Sequence, residues 1–449
     1  MKTKIATTLI GLCIFLLLPI TISAQPKEPV REPIKIGVIL MLTGPQADTG
    51  REAFRGIEIA ADMVNDMGGL WSKRKITLVT GDASDSEAAR TETERLCTVE
   101  KVKLIVGGYA SSLAFVEHPI AHKHGVVFWE TNAVADRLRQ LGHKYCFFFG
   151  PQATIYGAYA AQSLVDVVCP KLGKRPQDLR IAVIYQGTEW GKSISYMGFI
   201  QKAKEFGMKI IMDEPYDPKT VDFTSLVLKI KAANPDVVST QNYIDDGFRF
   251  YRDAIKNGLN PKVWLMDGCP WANVAEAFEK FGDDMNYILD VNQVAGGNLW
   301  VLSPVTQSQY RELSSRYLKK YGREMIASGE VAVGFTAAIA LFEYVLPAAG
   351  SLDPEKISQA AHDISLPYTA TARPGEGIKF SSANAEFANQ NIRAGAQVRQ
   401  IFNKTYYTVW PKRSAEIDPI LPIPPFGKKA IKESQVEKQF VIPKDLHVR

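Results

Sequence analysis

Cysteine is scarce in this chain, and its spacing excludes two kinds of site. The 449 residues contain five cysteines, and no pair of them forms a C-x-x-C motif. Zinc sites built on paired thiolates and thioredoxin-like redox sites both use that spacing. Beyond Cys13 the cysteines are Cys97, Cys146, Cys169 and Cys269. Their positions leave open whether they form disulfides or remain buried free thiols.

The body of the chain also lacks an excess of positive or negative charge. The formal net charge is +5, of which +2 comes from two lysines in the first 24 residues. Residues 411–449 contribute +3, with eight Lys/Arg against five Asp/Glu, so the body of the chain is near neutral. Nucleic-acid-binding proteins usually carry a basic surface, so a nucleic-acid partner is not expected.

The motifs of the common nucleotide-binding and hydrolytic sites are missing. The segment "QGTEWGKS" (186–193) places only three residues between Gly187 and Gly191, whereas a Walker loop needs four to wrap a phosphate. The segment "GKSIS" (191–195) lacks the final Gly of a G-x-S-x-G elbow, and no H-E-x-x-H occurs. We therefore expect neither a cofactor nor catalysis, with an amide hydrolase as a distant alternative.

Three histidines lie close together at His118, His122 and His124. Two of them at helical spacing plus a third resemble a metal ligand set. No carboxylate completes the set well, and Pro119 disturbs the turn, so a solvated helix face is the favoured interpretation and no metal is expected.

The first 24 residues have the pattern of a cleaved secretory signal. Lys2 and Lys4 precede an apolar run over 5–18, and the small residues Ser23 and Ala24 follow. The alternative is a retained anchor, although the run is short for a membrane span. Cys13 lacks the small-residue context of a lipidated cysteine, and no later segment offers a long uncharged apolar run. The mature protein is expected to be exported, soluble and not lipidated.

Short apolar segments alternate with amphipathic ones from Ile34 onward, a pattern typical of parallel sheets covered by helices on both faces. The order then repeats. Lys75 and Lys209 are 134 positions apart, and Gly125 and Gly258 are 133 apart. The sequence therefore predicts two copies of one α/β unit.

Open α/β sheets bind ligands beyond the carboxyl ends of their strands, so the loops after the predicted strands are the candidate site. In the first unit Ser111 and Ser112 open a predicted helix, where they either contact an anion or serve as helix caps. In the second unit Trp190 and Tyr243 either contact the ligand or are ordinary partly buried aromatics.

Four segments together resemble the type I periplasmic binding proteins that serve branched-chain amino acid ABC importers. They are "IKIGVILMLTGPQADTGREAFRGIEIAADMVNDMGG", "KLIVGGYASS", "GVVFWETNA" and "QGTEWGKS", and the likeness runs from about residue 34 to 410. It implies an α/β fold of two Rossmann-like lobes with parallel sheets, the Venus flytrap architecture. The chain is expected to cross between lobes near residues 150, 294 and 370.

The resemblance also implies domain boundaries. After the signal peptide (1–24), the first lobe comprises 34–150 and 295–370, and the second comprises 151–294 and 371–410. Residues 411–449 carry six prolines and are predicted to form an extended tail rather than a packed domain.

By the same resemblance, Ser111 and the main chain of Asn132 and Val134 would hold a ligand carboxylate, with Trp190 and Tyr243 closing over it. The acid that would receive an ammonium group falls on Cys269, so Asp267 or the pair Asp245 and Asp246 would replace it, unless the ligand has no ammonium. Thr49 replaces an aromatic residue of the first turn, and the bridging cysteines of the family fall on Ser84 and Ala110, so that disulfide is absent. The expected ligand-binding residues are Thr49, Ala110, Ser111, Ser112, Asn132, Ala133, Val134, Trp190, Tyr243, Asp267 and Cys269.

The function implied is capture of an amino acid or a related small carboxylate or amide between two lobes, followed by delivery to an ABC permease in the inner membrane. The protein would be a monomer in the periplasm. The alternative is a soluble ligand-sensing subunit that reports to a receptor.

Overall fold

The structure is a computed structural model. It describes residues 32–44, 46–71, 73–267, 275–292, 302–325, 329–370 and 377–442. From Pro33 onward the chain forms one unit that contains two sheets, each with its own hydrophobic core. The two sheets define the two lobes.

The first lobe is built on a five-stranded parallel sheet of order β2-β1-β3-β4-β5. Its strands are β1 (Ile34–Leu40), β2 (Ile76–Asp82), β3 (Leu104–Gly107), β4 (Val127–Glu130) and β5 (Cys146–Phe148). The helices that alternate with them are α1 (Ala47–Asp66), α2 (Ser86–Thr98), α3 (Ser111–Lys123) and α4 (Asp136–Arg139). The strands are apolar runs because both faces of the sheet are covered by helices.

A second stretch of chain completes this lobe. It supplies α12 (Pro304–Tyr321), α13 (Gly329–Ile339), a π-helical turn (Ala340–Val345), α14 (Leu346–Ala349) and α15 (Pro354–Asp363). Helix α13 lies directly on α1, where glycines permit backbone contact. A Cβ on Gly56 would overlap the Val331 carbonyl, and one on Gly334 would overlap the Ala53 carbonyl.

The helix over 329–349 corrects one sequence-based expectation. It is long and apolar enough to span a membrane, with a mean hydropathy of 1.8, although no such segment was expected after the signal. Because 78% of its apolar window is buried inside the protein, it is the core helix of the first lobe.

The second lobe is built on a seven-stranded sheet of order β12-β11-β10-β9-β8-β6-β7. The strands are β6 (Arg180–Gln186), β7 (Lys209–Tyr216), β8 (Val237–Gln241), β9 (Val263–Asp267), β10 (Leu289–Asn292), β11 (Gln397–Phe402) and β12 (Thr405–Trp410). Those from β6 to β10 are parallel, whereas β11 and β12 each run antiparallel to the preceding neighbour. The sequence repeat therefore corresponds to two related parallel sheets, the second extended by an antiparallel pair.

The helices of the second lobe lie between these strands. They are α5 (Ala153–Ser163), α6 (Cys169–Leu172), α7 (Glu189–Gly191), α8 (Gln201–Glu205), α9 (Thr224–Ala233), α10 (Ile244–Lys256) and α11 (Ala275–Phe281). A π-helical stretch (Leu164–Val168) joins α5 to α6, and another (Lys192–Ile200) joins α7 to α8. Single 3₁₀ turns occur at Pro176–Asp178 and Gly282–Met285.

The chain passes between the lobes three times. The first passage follows Phe149, which packs in the first core, and precedes Ala153, which packs in the second. Val291 packs in the second core and Leu302 in the first, and the second passage, expected near residue 294, lies outside the described residues. Ile378 and Phe380 still pack in the first core, and residues 389–391 still pair with Phe148 of β5. Ala396 packs in the second core, so the third passage lies between 391 and 396, later than the expected position near 370.

The segment after β12 packs on the second lobe, which corrects the prediction of an extended tail. It contains a 3₁₀ turn (Lys412–Ser414) and α16 (Glu433–Glu437), and it buries Ile417, Ile423 and Val436 in the second core. The amides of Glu416 and Ile417 donate to the Thr408 carbonyl at 2.7 and 3.3 Å. Because β12 is the terminal strand of the sheet, this pairing covers its edge.

The same segment is anchored by a buried lysine. The Nζ of Lys429 donates to the Tyr251 hydroxyl at 3.2 Å and to the Asp284 carbonyl at 3.1 Å, and it lies 4.5 Å from the centre of the Phe426 ring. Only 1% of Lys429 is exposed, and burial lowers the pKa of its ammonium group to about 7.

The sequence left open whether four cysteines form disulfides, and three of them, Cys97, Cys146 and Cys169, are free thiols. Burial raises the pKa of the Cys97 thiol to about 11, which keeps it protonated and unreactive near neutral pH. Cys269 lies outside the described residues.

Candidate ligand-binding cleft

A cavity of about 560 Å³ lies between the loops at the carboxyl ends of the two sheets. Its volume suits a small organic ligand. The residues that line it are Gln46, Ser111, Ser112, Phe115, Gln186, Thr188, Glu189, Trp190, Pro218, Tyr243, Ile244, Asp245, Asp246 and Arg249. The cleft therefore receives side chains from both lobes.

The first-lobe wall centres on the start of α3. Its N-cap residue is Ala110, which has no side chain able to cap, so the first turn carries no side-chain cap. Ser111 is 2% exposed, and its Oγ accepts the Ala135 amide at 3.1 Å. The Ser111 hydroxyl proton therefore stays available to donate. Ser111 does not cap α3, because the N-cap position belongs to Ala110 and the Ser111 oxygen accepts an amide of the neighbouring loop.

A buried carboxylate lies behind the loop that follows β4. The amides of Asn132 and Ala133 donate to Oε1 of Glu130 at 2.9 and 2.7 Å, and Nε2 of His118 lies 2.8 Å from Oε2. A Cβ on Gly108 would overlap this carboxylate, so only glycine fits there. The Asn132 amide, expected to hold a ligand carboxylate, is thus engaged with the protein's own acid.

Val134 and Thr49 do not line the cavity. Val134 packs in the core of the second lobe, and its carbonyl accepts the Ala153 amide at 2.8 Å. Thr49 is buried in α1, at 5% exposure. These two residues support the walls of the cleft from behind.

The second-lobe wall presents a pair of stacked rings. Trp190 and Tyr243 lie with ring centroids 4.0 Å apart and an interplanar angle of 9°. Gly191 follows Trp190 within a helical turn, and a Cβ there would overlap the Gln186 carbonyl. Glycine is therefore required at position 191 because the Gln186 carbonyl packs closely against it, and not because the backbone takes an unusual conformation there.

Acidic side chains surround the stacked pair. Oδ2 of Asp246 accepts Nε2 of Gln186 at 2.7 Å and the Tyr216 hydroxyl, and burial raises the pKa of the Asp246 carboxyl. Asp245 and Glu189 also line the cleft, and Asp245 is exposed to it. The second wall is accordingly rich in acceptors, whereas the first presents donors.

One cation lies on that wall, but its donors are partly engaged. Nε and Nη2 of Arg249 donate to the carbonyls of Thr220 and Pro218 at 2.9 and 3.2 Å. The guanidinium is thereby held against the β7–α9 loop, at the rim of the cleft.

Asp267 is buried at the end of β9 and does not line the cavity. Neither of its carboxyl oxygens has a hydrogen-bond partner among the described residues, and burial, followed by the charge of Asp290, raises its pKa well above the ordinary value. Cys269, the other residue expected here, lies outside the described residues.

The prediction that His118, His122 and His124 lie on a solvated helix face was wrong for His118. His118 is fully buried against Glu130 and packs edge-on to Phe148, while His122 is exposed and His124 pairs with Glu94 at 2.7 Å. Among the residues described here, no group of three His, Cys, Asp or Glu side chains is placed to hold a metal ion.

The structure thus brings Ser111, Ser112, Trp190 and Tyr243 together around one cavity. Five other lining residues lie at or just after the ends of β1, β6 and β8, where the loop argument placed the site, namely Gln46, Gln186, Thr188, Glu189 and Ile244. The sequence reasoning missed Phe115, Pro218 and Arg249.

Comparison with known proteins agrees with this geometry. The model of the family described as "Periplasmic binding protein" matches residues 33–399. The chain belongs to the periplasmic binding protein family. It is 32% identical over 392 residues to Leu/Ile/Val-binding protein homolog 7 of Brucella suis, a match that covers 86% of this chain and 94% of the relative.

Solved structures of this family show the same fold. The isoleucine complex of LivJ, a branched-chain amino acid transporter substrate-binding protein of Streptococcus pneumoniae, superposes with a TM-score of 0.68 at 18% identity, covering 83% of this chain and 97% of that one. An ABC transporter solute-binding protein of R. palustris in complex with 4-hydroxybenzoate gives 0.67 at 19% identity, covering 83% and 95%. These structures share the fold of two α/β lobes, and membership of the periplasmic binding protein family makes this chain an extracytoplasmic solute-binding protein.

Proposed function

We propose that this protein captures an amino acid or a related small carboxylate or amide in the cleft between its lobes and delivers it to an ABC permease in the inner membrane. The observation that carries the proposal is the position of the Ser111 and Ser112 helix start opposite the stacked Trp190 and Tyr243, across one cavity.

The two walls differ in the charge that they favour. The α3 start offers amides that no side chain caps, the Ser111 hydroxyl and the positive end of a helix dipole, which together favour a carboxylate. Asp245 and Glu189 on the other wall favour a cationic or donor group. A ligand with an acidic and a basic end fits this polarity, and the ring pair offers apolar contact between them.

Relatives support a carboxylate as the common element. LivJ is crystallised with isoleucine and the R. palustris protein with 4-hydroxybenzoate, and both ligands contain a carboxylate. Ligand that touches both walls would stabilise the closed arrangement of the lobes, which the permease would recognise.

The remaining parts of the proposal concern organisation. The mature protein would be a monomer in the periplasm, released from a cleaved signal at 1–24. The first lobe would comprise 34–150 and 295–391, and the second 151–294 and 396–410 together with the C-terminal segment. The core or the sheet to which the described residues of each stretch contribute supports this division.

A thermal-melt screen tests the ligand class. The purified protein would be melted with isoleucine, leucine, glutamine, benzoate and 4-hydroxybenzoate. A ligand at about 100 times its dissociation constant adds roughly 2.7 kcal/mol to the stability of the folded state, which is a readily measured shift.

Inorganic phosphate and butylamine, which carry only one of the two charges, are the matched controls. A shift with one of the carboxylates and none with butylamine agrees with the proposal. Stabilisation by butylamine alone, or by none of the carboxylates and amides, would contradict it.

A further inference from the structure

Arg139 is a buried cation whose hydrogen bonds reach three separate parts of the chain. It ends α4, is 2% exposed, and lies 4.5 Å from the centre of the Phe148 ring. Its Nη1 donates to the carbonyls of Ala133 and Ala135 at 3.2 and 3.0 Å. These two carbonyls belong to the loop after β4, directly behind the cleft.

The other donors of Arg139 point to the passages between the lobes. Nη2 donates to the Pro151 carbonyl at 3.3 Å, in the first passage, and Nε donates to Oε1 of Gln390, which pairs with Phe148 of β5 just before the third passage. Gln390 in turn donates to the Gly150 carbonyl at 2.8 Å, although the two residues are 240 positions apart in the sequence. One guanidinium thereby joins the first passage to the segment that leads into the third.

The loop after β4 is itself bonded to both lobes. The Ala135 amide donates to Oγ of Ser111, at the ligand-facing start of α3. The Val134 carbonyl accepts the amide of Ala153, the first residue of α5 in the second lobe. A continuous chain of hydrogen bonds therefore runs from Ser111 to the passages and to the second lobe.

We propose that Arg139 is a positioning residue for ligand binding, which fixes the 133–135 loop to the first passage and to the segment that leads into the third, and so couples ligand contact at Ser111 to closure of the lobes. The inference rests on the proposed function, because it takes Ser111 as a ligand contact. Arg139 itself is not among the residues that line the cavity.

The physical reason lies in the cost of a buried charge. A desolvated guanidinium is tolerated only when its donors are satisfied, and hydrogen bonds from a charged donor are stronger than neutral ones. The acceptors of Arg139 are neutral oxygens on three segments, so displacement of any one segment leaves a donor unsatisfied. The three segments are thus held as one group, and lysine cannot reproduce this arrangement because it lacks the planar set of donors.

The first experiment does not need a ligand. Amide hydrogen exchange would be measured in the mature protein carrying Arg139→Met or Arg139→Lys, with Arg137→Met as the control, since Arg137 is exposed on the same helix. We expect at least tenfold faster exchange at Ala135 and Ala153 in Arg139→Met, a smaller rise in Arg139→Lys, and none in Arg137→Met. Amides of β6 should stay unchanged in all three. Unchanged exchange at both alanines would overturn the inference.

The second experiment measures coupling to the ligand. Isoleucine and 4-hydroxybenzoate would be titrated calorimetrically into the wild type, Ser111→Ala, Gln390→Leu and the double variant, with the radius of gyration measured by X-ray scattering. Independent changes multiply in their effect on Kd to within about a factor of two. We expect a departure of fivefold or more, and a smaller ligand-induced contraction in Gln390→Leu.

The outcomes distinguish the positioning role of Arg139 from the proposed binding function. Multiplicative effects with normal contraction would overturn the role of Arg139 while leaving the binding function intact. If neither probe binds the wild type, the proposed function loses its support from these two ligands, and the exchange measurement alone decides the inference. If Arg139→Met does not fold, Arg139→Lys and Gln390→Leu decide it by the same exchange rates.

Discussion

Replacing Ser111 by alanine should weaken binding and stability together, by separable amounts. The Ser111 oxygen accepts the buried Ala135 amide, and its proton remains free for the ligand. Losing a hydrogen bond to a carboxylate costs about 1.5–3 kcal/mol, so Kd should rise roughly tenfold to a hundredfold. The Ala135 amide, left without its acceptor, should cost about 1–3 kcal/mol of folding free energy.

Two assays separate these contributions. Urea unfolding of the unliganded variant measures the loss at Ala135, and calorimetric titration with the ligand from the screen measures the loss at the site. Ser112→Ala is the matched control, because Ser112 lines the cleft at an exposed position one residue further along α3. It should leave the urea midpoint unchanged. If Ser111→Ala lowers the urea midpoint while Kd stays at the wild-type value, Ser111 only supports the loop and the anion site has been misplaced.

Three further outcomes follow from features of the second lobe. Trp190→Ala should raise Kd roughly tenfold by removing the ring stacked on Tyr243, whereas Trp190→Phe should retain most of the affinity; equal titration curves for both would refute the contact. Burial lowers the pKa of Lys429 to about 7, so between pH 7 and about 10.5 the unfolded chain binds more protons than the folded protein does. The free energy of unfolding should therefore rise with pH in this range, by up to about 1.4 kcal/mol per pH unit. Urea midpoints of Lys429→Met at pH 7 and 9 should lack that rise, and an unchanged slope would exclude the residue as its source. A chain ending at Trp410 should melt at a lower temperature than the full chain, since it loses buried Ile417 and its neighbours; an equal melting point would show that the segment adds no stability.

The strands and helices of both lobes were predictable because their signals are local. The apolar run at 34–40 and the helix ending at Lys123 each appear within a few residues of sequence. The repeat then indicates that the second lobe copies the first. The antiparallel pair β11 and β12 was harder to infer, since its partner β10 precedes it by over one hundred positions.

The site was predicted in part, and its misses have physical causes. Ser111 and Trp190 follow strands directly, so loop position alone identifies them. The burial of His118 could have been predicted from the sequence, because it lies on the same face of α3 as the apolar residues Ala114 and Ala121, which are fully buried. The network at Arg139 had none, because it requires residues of three distant segments to meet.

The six prolines of residues 411–449 predict an extended segment and give no indication of the burial that the structure shows there. Ile417 and Ile423 follow no helical or strand period, since this part of the segment crosses the lobe surface outside any helix or extended strand. Without a period, a sequence gives no sign of which side chains face inward.

The covering of β12 by residues 416 and 417 has a consequence for the order in which the protein is completed. Synthesis proceeds from the N-terminus, yet the second sheet receives β11, β12 and the residues that pair with β12 only after Gln397 has been made. Until these emerge, β10 is an open parallel edge that bears unpaired amides and carbonyls. The nascent chain therefore carries an unfinished second lobe until residue 417 has been made, and factors that hold unfolded chains apart should act on this protein up to that point.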